Sequence, residues 1–393
     1  MVARRLADAL LLLLAASVPL STTGMEAAVL ALGGLTLLGA VGGWAPVRAT
    51  PLDGVLGVFY GTLALSTLAS GHPLEAAGWA RLWVVLTYFV VFWWLRDRSQ
   101  AVRLVRLLVG AGALAAAYGL LQHATGADWY RAALGRPQLV RPREAGESGY
   151  AIVGFFRNYL TFAHTMLFPL AWATASAMSG SLAGLGAGVL LVLAVAFSTA
   201  RGVWLATVVV VATLVLIARA RGAGMAAGGL VAAALLAFAV SRDLRREAGQ
   251  MFGLGGANAG RVAIFAANLD IIHAYPVLGL GFGRYQRAAL PFYAAHPEAD
   301  RRSHAHSDYL QIAAEAGLTG LAAFGLLFAV ALRAGWPAVA DAPDAVTRAT
   351  AAGAWAGVVG FLVGGLTQYN FGDNEVAIAM WVALAVLMRL REP

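Results

Sequence analysis

The chain has no cysteine and no lysine, and only 12% of its 393 residues are charged. The missing cysteine excludes disulfides, thiolate metal ligands and a cysteine nucleophile. All 28 basic residues are therefore arginine. A GC-rich genome explains this bias, and so does a need for bidentate phosphate binding, which arginine provides and lysine does not. Composition alone leaves both explanations open.

The low charge extends along the whole sequence, and hydrophobic residues make up 60% of it. Soluble domains carry roughly 25% charged residues. We therefore predict an all-α polytopic membrane protein rather than a soluble domain with one anchor. Apolar runs of about 17–25 residues predict about twelve transmembrane helices, near residues 6–21, 27–45, 52–70, 79–95, 101–121, 158–179, 183–199, 202–218, 224–241, 309–332, 350–367 and 373–390.

Two of these helix boundaries rest on short polar turns within longer apolar runs. Ser198–Gly202 and Ser21–Gly24 each break a run that is too long for one helix across a ~30 Å hydrocarbon core. The first run resembles a signal peptide, because Arg4 and Arg5 precede its apolar stretch. No convincing cleavage site follows, so we expect a retained first helix.

The predicted helices divide the chain into three parts. Residues 1–241 hold helices one to nine with an outer loop at 122–157, residues 242–308 form a large periplasmic loop, and residues 309–393 hold the last three helices. Within the large loop, the apolar spacing over 261–274 predicts a short interfacial helix.

Arginines in the short loops place both termini on the cytoplasmic side. We expect the membrane to be a bacterial inner membrane. The residues that give this orientation are Arg4, Arg5, Arg48, Arg96, Arg98, Arg103, Arg106, Arg219, Arg221, Arg389 and Arg391. Arg201 is the exception, because its tight turn falls on the outer side. An arginine at the edge of the hydrocarbon is costly unless it is paired or hydrated. It either serves a site or extends to the lipid headgroups.

A second segment combines Gly260–Arg261 with a glycine-rich stretch from Pro276 to Arg284. The alternating glycines, Gly281 and Gly283 among them, expose backbone N–H groups that can cradle an anion. The alternative is a flexible loop. A dinucleotide fingerprint is excluded, because the chain offers no strand–helix–strand context.

The third segment, Ser303–Gln311, contains His304 and His306 and precedes two glycines, Gly317 and Gly320. A zinc site is not expected, because no further ligands follow at suitable spacing. A neutral histidine at a membrane boundary can act as a general base; alternatively it is only a structural hydrogen-bonding group. We expect a helix to start at about Ser307, and the two glycines to allow close packing.

Together these segments carry a family pattern. A histidine and serine at 306–307 precede Gly317-x-x-Gly320, the turn at 199–204 reads Thr-x-Arg-Gly-x-Trp, and 260–281 contains Gly-Arg followed by Pro-x-x-Gly-x-Gly. In this order and on one predicted membrane face, they resemble the O-antigen ligase and polymerase superfamily. Among its members the chain most resembles the O-antigen ligases.

The resemblance implies a glycosyltransferase without a metal or other cofactor. Such an enzyme moves a polysaccharide from undecaprenyl diphosphate onto a sugar hydroxyl of lipid A-core at the periplasmic face. His306 would be the general base, and Arg201 and Arg284 would bind the diphosphate and assist catalysis. Further substrate contacts would come from Arg261, Arg157, His304, Gly281 and Gly283. Membrane lipids are expected partners and nucleic acid is not.

Three alternatives stay open. An O-antigen polymerase and a protein O-oligosaccharyltransferase belong to the same superfamily and differ in the acceptor. A transporter would be a different class of protein. Transporters often carry charged or broken helices near the bilayer midplane in repeated halves, and the sequence shows few ionisable residues at mid-span and no repeat.

The orientation gives a first testable prediction. Reporter fusions at residues 140 and 270 should report a periplasmic location, and fusions at the C-terminus a cytoplasmic one, because short-loop arginine sets the topology. A cytoplasmic signal at residue 140 or 270 would contradict the placement of every proposed site residue.

Overall fold

The computed structural model describes residues 2–72, 77–142, 149–218, 223–251, 259–299 and 304–392. Arg219, Arg221 and Ser303, named above, lie outside these residues. The described chain is helical, with one isolated antiparallel β-bridge between Pro142 and Tyr150. Its α-helices are α1 Val2–Leu20, α2 Thr22–Val41, α3 Asp53–Ala69, α4 Leu86–Trp94, α5 Arg98–Thr125, α6 Trp129–Ala133, α7 Tyr159–Met178, α8 Leu182–Phe197, α9 Arg201–Ile217, α10 Ala223–Val240, α11 Arg242–Gly249, α12 Ala259–Ala274, α13 Tyr285–Ala288, α14 Leu290–Tyr293, α15 Asp308–Ala340, α16 Ala345–Gly364 and α17 Asn374–Leu390. A 3₁₀ helix, Ala77–Val85, leads into α4.

Every predicted apolar run coincides with a helix, namely α1 to α5, α7 to α10 and α15 to α17. Among the described residues, five helices are long and apolar enough to cross a membrane: α2, α5, α10, α15 and α16. Four more apolar segments are shorter, at α3, Ala80–Trp94, α8 and α9. The prediction of an all-helical polytopic membrane protein is confirmed, and the number of spans stays a prediction.

Helices α7, α16 and α17 form the centre of the bundle. Residues Val376–Met388 of α17 are buried on all sides, as expected for a helix that is apolar around its whole circumference. Small residues let neighbouring backbones approach closely. A side chain at Gly353 of α16 would overlap Trp172 of α7, and one at Gly360 would overlap Leu167.

The predicted inner-side arginines meet at one end of the bundle. Arg96 pairs with Asp8 at 2.6 Å, Arg389 donates to the Arg96 carbonyl, and Arg48 pairs with Glu392. The opposite ends of α1 and α17, at Ser21 and Asn374, line a common space with Gly283 and His304, and His306 lines a second one with Arg201. The three sequence motifs therefore lie together at the opposite end. The arginine pattern and the motif positions therefore agree with one orientation.

Helix α15 is broken at Gly317, whose backbone (φ 68°, ψ −173°) is not helical. The break frees backbone groups, and the glycine-rich turn at 276–283 satisfies them. The Gly281 N–H donates to the Glu315 carbonyl at 2.9 Å, and the Leu318 N–H donates to the Pro276 carbonyl at 2.7 Å. Gly317 therefore does allow a close approach, but to this turn rather than to a neighbouring helix.

The segment predicted to form the large outer loop contains helices α11 to α14, and α12 covers the predicted interfacial segment. A buried polar cluster joins α12, α13 and α14, because the Tyr285 hydroxyl contacts Asn268 at 2.9 Å and the Tyr293 hydroxyl at 2.6 Å. Burial raises the pKa of both tyrosine hydroxyls, so they stay protonated and available as donors. This cluster fixes the turn that follows α12.

Replacing Gly317 with alanine should destabilise the protein. The positive-φ extended backbone of Gly317 is essentially confined to glycine and costs another residue about 1–3 kcal/mol, and the new Cβ would overlap the Val277 carbonyl. A thermal unfolding scan in detergent should show a lower Tm for Gly317→Ala. Gly325→Ala, a substitution in the same helix where nothing lies near the new Cβ, should not lower it. Equal Tm values for the two variants would contradict this role of Gly317.

Candidate functional site

Two cavities lie next to each other at the motif-bearing end of the bundle. The large cavity has a volume of about 1070 Å³ and lies between the start of α2, the 130–158 loop, the 282–286 turn and the loop before α17. The small cavity, about 430 Å³, lies between the starts of α7 and α9, helices α11 and α12, and His306. The Gln368 side chain lines both cavities and thus forms part of the wall between them.

The small cavity gathers positive charge. Among the described residues, Arg201, Arg246 and Arg261 line it, together with His306 and one carboxylate, Glu247. Arg201 Nε lies 3.6 Å from a Glu247 carboxylate oxygen, and both side chains are largely shielded from solvent. Three guanidinium groups around one space suit this cavity to an anion with several oxygens.

The start of α9 adds to this charge. The N-cap residue, Ala200, offers no side-chain hydrogen bond to the first turn. The N-terminal N–H groups of a helix carry a partial positive charge and favour anions. Ala200, Arg201 and Gly202 all line the small cavity, so the helix end and the arginine side chains act on the same space.

Backbone strain is concentrated at the same cavity. Within the described chain, the non-glycine residues with positive φ are Thr199 (57°) and His306 (51°), and both line the small cavity. Such conformations cost about 1–3 kcal/mol each and persist where the surrounding structure enforces them. The fold thus holds the residues before α9 and α15 in positions that they would not adopt on their own.

His306 lies at the wall between the two cavities and is 5% exposed. Its Nδ1 is 3.1 Å from Gln368 Oε1. Its backbone N–H donates to His304 Nδ1 at 3.2 Å, and the two imidazole rings lie 4.3 Å apart. The Gln311 side-chain oxygen accepts from the Ala305 N–H at 2.7 Å, so the first turns of α15 hold the two-histidine turn.

The large cavity carries both signs of charge. Four arginines and four carboxylates line it: Arg81, Arg131, Arg136, Arg157, Glu26, Glu315, Asp373 and Glu375. The Glu315 side chain is buried and accepts the N–H groups of Gly283 at 3.0 Å and Tyr285 at 3.3 Å. A mixed lining of this kind can hydrogen-bond to both hydroxyl and anionic groups of a ligand.

The structure divides the sequence-predicted site residues into three groups. Arg201, Arg261 and His306 line the small cavity. Arg157, His304 and Gly283 line the large cavity. Arg284 and Gly281 are not among the residues that line either one.

The glycine-rich turn serves a different purpose from the expected one. The Arg284 guanidinium donates to the Ser70 carbonyl at 3.2 Å, and the N–H groups of Gly281 and Gly283 donate to Glu315. These two N–H groups therefore bind Glu315 of the protein itself, whereas the sequence had predicted that they bind an anionic ligand. The turn instead satisfies the broken helix and its buried carboxylate.

Several lining residues were missed by the sequence analysis. Arg81 lay inside the predicted span 79–95, although an arginine within a span is itself a signal of function. It hydrogen-bonds to Tyr369, whose pKa is raised by burial. Arg246 gave no motif signal within the large loop. Gln368 follows the predicted span 350–367 directly and carries no sequence signature.

Metal ligands are not clustered in the described part of the chain: no group of three or more histidine, aspartate or glutamate side chains there is placed to hold an ion.

The fold and the two cavities define a class: a polytopic helical membrane protein with a polar, arginine- and histidine-lined site at one end of its bundle. Residues 186–325 match the profile of a family described as O-antigen ligase (Wzy_C). The match extends from α8 into α15 and includes Arg201, Arg246, Arg261 and His306. No curated protein matches the chain.

The family match confirms the resemblance to the O-antigen ligase and polymerase superfamily. It supports a glycosyl-transferring enzyme that acts on polysaccharide and lipid-linked substrates. It does not separate ligases from polymerases.

Proposed function

We propose that this protein transfers an O-antigen polysaccharide from undecaprenyl diphosphate onto a sugar hydroxyl of lipid A-core, at the periplasmic face of the bacterial inner membrane. The observation that carries the proposal is the small cavity, where three arginines and His306 surround one space at the end of the bundle away from both chain termini. The family match supports the same chemistry.

In this proposal the diphosphate of the donor occupies the small cavity. Arg201, Arg246 and Arg261 present planar guanidinium groups, which bind phosphate oxygens in pairs. Negative charge builds on the diphosphate as its bond to the sugar breaks, and donors already in place stabilise that charge without reorganisation. Arg284, held at Ser70, has a different role: it fixes the glycine-rich turn.

His306 acts as the general base. It removes the proton from an acceptor hydroxyl, the hydroxyl oxygen bonds to the anomeric carbon of the donor, and the bond from that carbon to the diphosphate oxygen breaks. The proton stays on the imidazole until it passes to the released diphosphate or to solvent. General base catalysis of this kind contributes about 10²–10⁴-fold. The diphosphate already activates the sugar, so the step needs no cofactor.

The acceptor enters from the large cavity. Its volume of about 1070 Å³ exceeds that of a typical small-molecule site, which is about 300–1,000 Å³. Arg157 and His304 line it and provide the further substrate contacts expected from the sequence. A ligase and a polymerase would share the donor site and differ in what occupies this cavity.

Reconstituted transfer tests the function. Purified protein would be incubated with an undecaprenyl diphosphate-linked glycan and, separately, lipid A-core or a second lipid-linked glycan as acceptor, with a chelator present. Product on lipid A-core supports the ligase. Product only on the second glycan means a polymerase, and flux of the glycan across proteoliposomes without transfer means a transporter.

The arginine assignment predicts that Arg201→Lys loses about 10²–10³-fold in transfer rate, the loss seen when one charge-stabilising donor is removed. Lysine keeps the charge but loses the paired donors. Arg245→Lys is the matched control, because Arg245 donates to the Phe238 and Ala239 carbonyls and lines neither cavity. The assignment fails if Arg201→Lys and Arg261→Lys both transfer at the rate of the unmodified protein.

The base assignment predicts that His306→Ala loses about 10²–10⁴-fold in transfer rate while binding of undecaprenyl diphosphate is unchanged. The control is His296→Ala, because His296 pairs with Asp270 on the outer loop at 2.7 Å, away from both cavities. Near-normal turnover by His306→Ala would show that His306 is not the base. A loss confined to donor binding would place it with the arginines.

A further inference from the structure

Gln368 lies in the loop between α16 and α17, outside the residues matched by the family. Among the described residues it alone lines both cavities, and its Oε1 lies 3.1 Å from His306 Nδ1. It therefore stands beside the proposed base, at the boundary between the proposed donor and acceptor sites.

The loop that carries Gln368 is fastened to the helix start that carries His306. The Asp308 N–H donates to the Gly365 carbonyl at 2.7 Å, and the Asp308 carboxylate accepts the Phe371 N–H at 2.8 Å. These two bonds lie on either side of Gln368 in sequence. Because Asp308 is only two residues from His306, these two contacts of Asp308 set the separation between Gln368 and the imidazole.

The hydrogen bond decides which imidazole nitrogen holds a proton. An amide oxygen only accepts, so Nδ1 is the protonated nitrogen of the neutral His306 ring. In this tautomer Nε2 carries the lone pair that a base requires. The opposite holds for the neighbouring ring, because His304 Nδ1 accepts the His306 backbone N–H. Neutral His304 therefore carries its proton on Nε2. The two adjacent histidines have opposite tautomers, and that of His306 suits a base at Nε2.

We propose that Gln368 is a positioning residue that holds the His306 ring with Nε2 as its basic nitrogen. The contribution of Gln368 to catalysis rests on the proposed role of His306 as general base.

The Gln368 amide has no charge, which is compatible with its position in the wall of the small cavity. A carboxylate in its place would bring negative charge to the wall of a cavity proposed to accept a diphosphate.

Other charged groups also face His306 and must stay constant in any test. They are the three arginines of the small cavity, Glu247 and His164, together with His304 and Asp308 beside it in sequence. Substitutions at Gln368 alone leave all of these in place. A change in the titration midpoint or tautomer of His306 can then be assigned to the change at Gln368.

The test is the titration of His306 by ¹⁵N NMR of histidine-labelled protein, with His306→Ala to assign the signal among the seven histidines. Gln368→Met keeps the size of the side chain but removes the acceptor. It should lower the titration midpoint and convert the single tautomer to a mixture. Gln368→Glu supplies an anionic acceptor that stabilises the imidazolium and should raise the midpoint by about one pH unit or more.

Transfer kinetics give the second readout. For Gln368→Met we expect kcat to fall by about 10–100-fold, the loss found for hydrogen-bond partners that orient metal-binding histidines, with the donor KM unchanged. Gln368→Glu should recover kcat. A base works only when neutral, so activity appears above its titration midpoint, and the acid side of the Gln368→Glu profile should move to higher pH. Gln138→Met, at an exposed glutamine, is the matched control.

Two results would overturn the proposal. One is a His306 titration and tautomer in Gln368→Met that equal those of the unmodified protein. The other is a loss of transfer confined to the donor KM, which would make Gln368 a substrate contact. The NMR measurement needs no substrate, so it separates this proposal from the function itself. If the unmodified protein fails to transfer glycan, the proposed function fails, while the titration still decides whether Gln368 holds the ring.

Discussion

The break in α15 at Gly317 is the constraint on which the site depends. A helix interrupted within a membrane protein leaves backbone groups without partners, and hydrocarbon offers none. Here the turn at 276–283 lies against the break and supplies them. The same turn surrounds the buried Glu315 carboxylate. The short segment from Asp308 to Ala316 is thereby fixed at an angle that the rest of α15 does not dictate.

The histidines of the site and the loop that carries Gln368 are attached to this short segment. The His304–His306 turn precedes it and is held by Gln311, and the loop before α17 is bound to Asp308. The glycines of the motif therefore act at a distance from the chemistry. They allow the break and its partner turn, and the break sets the position of the histidine.

Much of the fold could be predicted from sequence, because long apolar runs mark helices in a bilayer whatever their tertiary contacts. Each predicted run coincides with a helix, and the expected helix start at Ser307 is confirmed, with Ser307 as the N-cap. The three motifs also come together at one end of the bundle. Periodicity and loop charge were sufficient for these features, since both depend on local sequence.

The division of the site into two cavities could not be predicted in the same way. Whether the N–H groups of Gly281 and Gly283 point to a ligand or to Glu315 depends on the break at Gly317, which no local pattern reveals. Arg81 was hidden within an apolar run. Gln368 matters only because Asp308, sixty residues earlier in the chain, binds its loop. Such contacts join residues that are far apart in sequence, and no local sequence pattern predicts them.

The ion pair between Arg201 and Glu247 affects which anions can bind in the small cavity. An anion that enters the cavity competes with the Glu247 carboxylate for the Arg201 guanidinium. In the proposed function, a monovalent ion such as chloride would gain little from that exchange, whereas the diphosphate of the donor has several oxygens and would contact all three arginines. Glu247 would then favour the diphosphate over small monovalent anions.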